Sequence, residues 1–403
     1  MKGKSEIPLG WEAACITDIV DVARPVTYGV VQPGERQSTG IPLIRGKDYS
    51  SGEVSTDDLY LIHPTIARAY SRSIVKGNDI LLSIVGYVGL CAAVPHELIG
   101  ANITQTTARI AIRKGLSYRF FLHQFRAPEF QAQVRRFMKG SAQPGLNLAD
   151  VEKMRVLVPP LHEQRRIAEI LDTADEAIRS TEQVIAKLEH VKQGLLHDIL
   201  TRGIWQTLRI GSFTRVGVGY VGPIAPYFTS SSDGVPLLST TNIENSGIRS
   251  LGIRRVTRAF DRANNKSRLA IDDIIVARHG DSGESAVIPP GFAGAQCLNV
   301  VVIRQSSAVY SAFLARLLSS EMMRRRILAT KAGSVQGVVN TSEIESLVVP
   351  IPPIAEQRDI LDRVNACERR EAIETQTWVK LRALKQGLMD DLLAGRVQVG
   401  ASA

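Results

Sequence analysis

Gly217-Val218-Gly219-Tyr220-Val221-Gly222 carries the glycine spacing with which a backbone can approach a pyrophosphate. That chemistry needs a helix to begin at the last glycine, so that its N–H groups face the phosphates. Pro223 and Pro226 follow at once and are poor material for such a helix, so a loop is expected. His162, His190 and His197 share one helical stretch without a carboxylate or second histidine at ligand spacing, which reads as solvated helix surface. Asp57-Asp58 and Asp272-Asp273 are adjacent acidic pairs, but the latter opens a strand and belongs to its turn. Cys15, Cys91, Cys297 and Cys367 are scattered, which argues against both a zinc site and a disulfide framework. The sequence has no GxxxxGK[ST] phosphate cradle, GxSxG elbow, HExxH pair or EF-hand pattern. Nothing assembles a nucleophile, a base and an orienting group. The chain is not expected to be a catalyst itself.

The charge is unevenly placed. Of the net +9, residues 1–157 carry +5 and residues 203–351 carry +6, while residues 158–202 carry −2 and residues 352–403 are neutral. In residues 203–351 arginine outnumbers lysine 14 to 2, a bias that suits bidentate contact with phosphate or guanine. A moderately basic soluble enzyme stays open as an alternative reading of the charge alone. Hydrophobic content of 44% and charged content of 22% are ordinary for a globular protein, and 403 residues leave room for two or three domains. No apolar run reaches the roughly 18 residues of a membrane span, and Pro8 and Gly10 stand where a signal-peptide core would lie. A cytoplasmic protein is expected.

The chain also repeats itself at a spacing of about 193 residues. Pro159-Pro160-Leu161-His162-Glu163-Gln164-Arg165 is answered by Pro352-Pro353-Ile354-Ala355-Glu356-Gln357-Arg358, and Lys192-Gln193-Gly194-Leu195-Leu196 by Lys385-Gln386-Gly387-Leu388-Met389. Gly140-Ser141 matches Gly333-Ser334, Asn147 matches Asn340, and Ile41-Pro42-Leu43 matches Val235-Pro236-Leu237. Solenoid repeats have far shorter periods, so this is a duplicated module-plus-helix unit.

Each signature leads into a long helical stretch. From Leu161 to Thr201 apolar or small residues recur at Ile167, Leu171, Ala174, Ile178, Thr181, Ile185, Leu188, Leu195 and Ile199, with Lys192 in the one gap and Gly203 closing the run. Steps alternating four and three make a coiled-coil seam, and about 40 residues make a rod about 60 Å long. The second copy places Ile360, Val364, Cys367, Trp378, Leu381, Leu388 and Leu392 at the same positions, with Glu371 and Glu374 weakening its middle. A narrow seam cannot be buried alone, so the simplest partner for each helix is its repeat. The preceding modules hold short β-rich runs at Ile80–Val85, Ala108–Ile112, Asp273–Ala277 and Val300–Ile303, then helical stretches near Tyr118–Lys139 and Ala308–Lys331. Strands and helices without βαβ alternation predict an α+β fold.

Two PPLxEQ-type signatures at this period, each opening a heptad helix after a variable module, resemble the specificity subunits of type I restriction-modification systems. Ile41-Pro42-Leu43-Ile44-Arg45-Gly46-Lys47-Asp48 is similar to the opening of that family's target-recognition domains, as are Lys76–Leu81 and the loop Arg278–Gly283. The sequence departs from the pattern at Ala355, and at Ser83–Gly86, where an arginine is usual. The resemblance implies target-recognition domains at residues 1–157 and 203–351. Between and after them would lie two long antiparallel coiled-coil helices, residues 158–202 and 352–403, in an internal pseudo-two-fold repeat.

It further implies binding to double-stranded DNA and docking of two adenine-methyltransferase subunits, with restriction subunits as possible further partners. S-adenosylmethionine, ATP and Mg2+ would sit on those partners, consistent with the absence here of an Asn-Pro-Pro-aromatic motif. Candidate DNA contacts are Arg45, Lys47, Tyr87, Ser141 and Gln143 in the first module, and Thr240, Asn242, Arg278, His279, Ser334 and Gln336 in the second. All are polar or aromatic and fall in expected loops. Glu163, Gln164, Arg165, Glu356, Gln357 and Arg358 begin the helices, either to complement the helix dipole or to dock a partner. The competing readings are a coiled-coil scaffold without a nucleic-acid role, which leaves the basic modules unexplained, and an enzyme with an unrecognised site.

Overall fold

The computed structural model describes residues 7–140, 144–244, 247–279, 283–331 and 338–399. The chain divides into two compact units, residues 1–181 with 377–403 and residues 182–376, so each long helix contributes one part to each unit.

In the first unit the strand Asp79–Ser83 is buried throughout, as its Ile-Leu-Leu run requires. It stands second from the edge of an antiparallel sheet in the order Thr27–Tyr28, Thr107–Ala111, Asp79–Ser83, Cys91–Ala93. A second sheet joins Tyr60–Ile62, Ile41–Ile44 and Asn102–Ile103, the last pair parallel. The second unit repeats both. Val216–Val218, Val300–Ile303, Ile274–Ala277 and Ser285–Val287 make the antiparallel sheet, and Val235–Ser239 again pairs in parallel, with Gln296–Leu298. Even the turn before the central strand is copied: Asn78 and Asp272 adopt left-handed backbone at φ 73° and 63°. The carboxylate that follows, Asp79 or Asp273, is buried against an arginine, Arg24 or Arg304.

The single helices expected at Tyr118–Lys139 and Ala308–Lys331 are each two. Tyr118–Arg126 and Pro128–Phe137 are separated because a residue before proline is driven out of the helical region, and Ala127 is extended at ψ 149°. Ser311–Leu318 and Glu321–Lys331 part without a proline, where the Ser320 hydroxyl accepts the Met323 N–H and caps the second helix.

The long helices span Leu161–Thr201 and Ile354–Leu392. Every seam position of both is buried or half-buried, including the polar ones. In the second unit Lys192, the gap in the first seam, reaches Glu371, the weak point of the second, at 3.1 Å. Burial opposes the Lys192 charge, but hydrogen bonds to Glu189 and Glu371 outweigh it and raise the ammonium above its usual range. In the first unit Lys385, the counterpart of Lys192, pairs with Asp175. Within the first unit Ile167 and Leu171, before Asp175, share a core with Met389 and Leu392, beyond Lys385. Within the second, Leu196 and Ile199, beyond Lys192, share a core with Ile360 and Val364, before Glu371, so in each unit the helices run antiparallel.

Each module packs on the start of one helix and the end of the other. Ile167, Leu171, Met389 and Leu392 join the first core, and Leu196, Ile199 and Val364 the second. Among the described residues no helix is long and apolar enough to cross a membrane.

Candidate DNA interface

The repeated signature begins each long helix with a clasp. Glu163 accepts the indole N–H of Trp11 at 3.0 Å, and Glu356 that of Trp205 at 2.9 Å. Gln164, 1% exposed, accepts the backbone N–H of Ser117 at 2.9 Å and donates to the Pro159 carbonyl at 2.8 Å. Gln357, fully buried, repeats this with the Tyr310 N–H and the Pro352 carbonyl, both at 2.8 Å. Ser117 and Tyr310 are the residues that cap the module helices Tyr118–Arg126 and Ser311–Leu318. The two glutamines therefore bind each module to its long helix through otherwise unpaired helix-start amides. Arg165 stays at the surface, whereas Arg358 lies over the Tyr310 ring, 4.8 Å from its centroid. Trp11 and Trp205 went unread in the sequence, although they recur at nearly the same period as the signature itself.

In the first module, three of the sequence-chosen residues converge. Arg45, Lys47 and Tyr87 line a concavity of about 410 Å³ with Val30, Val85 and Thr104–Thr106. Asp48 holds the Arg45 guanidinium through two bonds of 3.0 Å, whereas Lys47 is exposed and Tyr87 is 51% exposed. Below them Tyr49 is buried, and its hydroxyl meets Thr107 at 2.9 Å; burial pushes that phenol well above its usual range. Ser141 and Gln143 lie outside the described residues.

In the second module Arg278 is half-buried, donating from Nε to the Val339 carbonyl at 2.8 Å. His279 beside it is exposed. Asn242 is 5% exposed and accepts the Ser239 N–H at 3.0 Å, an internal cap. Thr240 donates to the Asn299 carbonyl at 3.5 Å. Ser334 and Gln336 lie outside the described residues.

The remaining chemistry is structural. Val216–Val218 is a strand, and Gly219 lies so close to Cys297 that a Cβ would come within 2.8 Å of its sulfur and carbonyl oxygen. No helix begins at Gly222, so the glycine motif is not a dinucleotide site. Burial pushes the Cys91 and Cys297 thiols up to about 12, which leaves them unreactive. Among the described residues no group of histidines, cysteines and carboxylates could hold a metal.

A model of the type I restriction modification DNA specificity domain matches residues 8–190 and again 220–382. The chain belongs to this family. It is 34% identical over 195 residues to the type I restriction enzyme EcoBI specificity subunit of Escherichia coli, covering 47% of this chain and 41% of that one. It is 23% identical to the StySPI specificity subunit of Salmonella potsdam, covering 90% and 82%. Two solved structures share the fold at a TM-score of 0.57. One was described under complex assembly and conformational transition of the type I R-M system (16% identity, 97% and 100% covered). The other is the type I S subunit of M. genitalium (12% identity, 98% of each chain covered). Family membership makes the chain a DNA-sequence-recognition subunit, not the catalytic component. The duplicated clasp, sheets and seam are the two specificity-domain copies seen in three dimensions.

Proposed function

We propose that this specificity subunit reads an asymmetric bipartite site, each module recognising one half of a single DNA duplex. Major-groove base edges distinguish all four base pairs, and the lysines and arginines around the reading loops would set register on the phosphates. The duplicated clasp is the observation that carries this reading. Two unlike modules are each fixed by the same buried glutamine to the same point of a long helix, which suits a device whose half-sites differ while their separation stays fixed.

The paired helices would also dock two adenine-methyltransferase subunits, and restriction subunits where these exist. S-adenosylmethionine, ATP and Mg2+ would be bound by those partners. Glu163, Gln164, Glu356 and Gln357 are occupied within the chain, so docking would fall to outward helix faces. Val184, Val191 and Ile373, 38%, 43% and 56% exposed, are apolar residues on such faces.

Two measurements test this. Duplexes selected by the full chain should show two separated specific blocks, and inserting two base pairs between them should reduce affinity at least tenfold, to roughly that of random DNA. Unchanged affinity would remove the bipartite reading. Val184→Asp with Val191→Asp should abolish co-purification of a co-expressed methyltransferase subunit; retained co-purification would place the dock elsewhere. A chain that binds the subunit but no duplex would be a scaffold.

A further inference from the structure

We infer that Gln105 is a specificity-determining residue of the first module, reading an adenine in the first half-site. The inference rests on the DNA-reading function proposed above and on the concavity that gathers Arg45, Lys47 and Tyr87.

The polar side chains lining that concavity divide by what they already do. Arg45 is bound on two nitrogens by Asp48. Thr104 and Thr106 satisfy each other, hydroxyl to hydroxyl, at 2.8 Å. Lys47, Tyr87 and Gln105 remain, all exposed, with side chains that hydrogen-bond to nothing among the described residues. Their chemistries differ. Lys47 only donates and carries a full charge, which suits a phosphate or a guanine edge. Tyr87 offers an apolar ring with a polar tip, suited to lie along the groove wall. Gln105 presents a donor and an acceptor in one plane, the pair that matches the N7 acceptor and N6 amino donor of adenine.

Reading a base also requires that the backbone be held. Gly29 donates to the Thr104 carbonyl at 3.2 Å, and the Gln105 N–H donates to the Val30 carbonyl at 3.0 Å. The approach is so close that a Cβ at Gly29 would lie 1.6 Å from the Ile103 carbonyl oxygen, so only glycine permits it. The Gln105 backbone is thus pinned on a sheet edge while its amide is free, the preorganisation that makes a polar contact discriminate. The side chain is exposed, so substitution should leave the fold intact.

The test is selection of the full-length chain against a library of random-sequence duplexes, followed by affinity measurements on the selected site. Wild type should give a two-block motif. Gln105→Ala should lose the preference for adenine at one position of one block, leave the other block unchanged, and bind the selected duplex about tenfold more weakly with unaltered affinity for random DNA. Gln105→Glu should shift that position toward cytosine, whose amino group a carboxylate accepts. An unchanged motif in Gln105→Ala would overturn the inference, as would an equal loss for selected and random duplexes, which marks a phosphate contact. If wild type itself selects no motif, the DNA-reading function fails with it; a wild-type motif indifferent to Gln105 condemns this residue alone.

Discussion

The two units place different residues at matching points of one frame. His123 of the first occupies the position of Arg316 in the second. His123 meets Asp172 at 2.7 Å on the first long helix, and Arg316 meets Glu368 at 2.6 Å on the second. The carboxylate at the head of the central strand is kept, but Asp79 takes its arginine from an N-terminal turn, Arg24, and Asp273 from the end of the neighbouring strand, Arg304. The glutamine clasp is the same in both. What is held constant is the point where a module meets its helix; what varies is the means by which nearby charges are balanced, and the loops. A duplicated recognition protein can change what it reads only if the joint beneath the reading surface does not change with it.

The largest expected effect sharpens this contrast at the buried aspartates. Asp79→Asn leaves Arg24, 18% exposed, facing a neutral amide, which should cost roughly 3–5 kcal/mol. Asp273→Asn does the same to Arg304, but that arginine is 33% exposed and water can take up part of its charge, so the loss should be smaller. Urea unfolding of the two variants measures this. Equal losses would mean that the source of the arginine does not matter.

The clasp should behave oppositely, with equal effects in the two copies. Gln164→Met and Gln357→Met keep the side-chain volume but strand one amide and one carbonyl each, at about 2 kcal/mol apiece. A clear difference between them in the same unfolding assay would show that the joint is duplicated in shape but not in energy. Trp11→Phe and Trp205→Phe should follow at about 1 kcal/mol, because each removes one half-buried hydrogen bond and little area.

The sequence showed this frame better than the site. A heptad seam and a long-period repeat are patterns of residue type along the chain; the seam positions are buried or half-buried, and both signatures open long helices. Even the apparent faults in the seam were informative: Lys192 and Glu371, each out of place in its own helix, answer each other. Partnerships are harder to see. Arg45 and Asn242 both read as polar loop residues; the structure adds that Asp48, three residues on, holds Arg45 and that Asn242 caps its own turn. The helix break at Ser319–Ser320 had no proline to announce it. Residue type fixes what a group can bond to, and only tertiary packing decides which bond is made.

Acid should separate the units by the smallest margin and the clearest sign. Burial works to raise the Asp172 carboxyl, but its hydrogen bond to His123 and the nearby charges of His123 and Arg119 outweigh that and hold it below the usual carboxylate range. A depressed folded value means that the stabilisation is complete above the unfolded carboxylate's pKa of about 4 and is lost as pH falls through the lower folded value. The residue aligned with Asp172 in the second unit is Asn365, which cannot titrate, and Arg316 there meets Glu368, the counterpart of Asp175. Amide exchange followed from pH 6 down to pH 3 should therefore show the helix Tyr118–Arg126 losing protection before Ser311–Leu318, and Asp172→Asn should reduce that difference. Loss of protection in both helices at the same pH, or a variant that retains the full difference, would move the acid-sensitive contact away from Asp172.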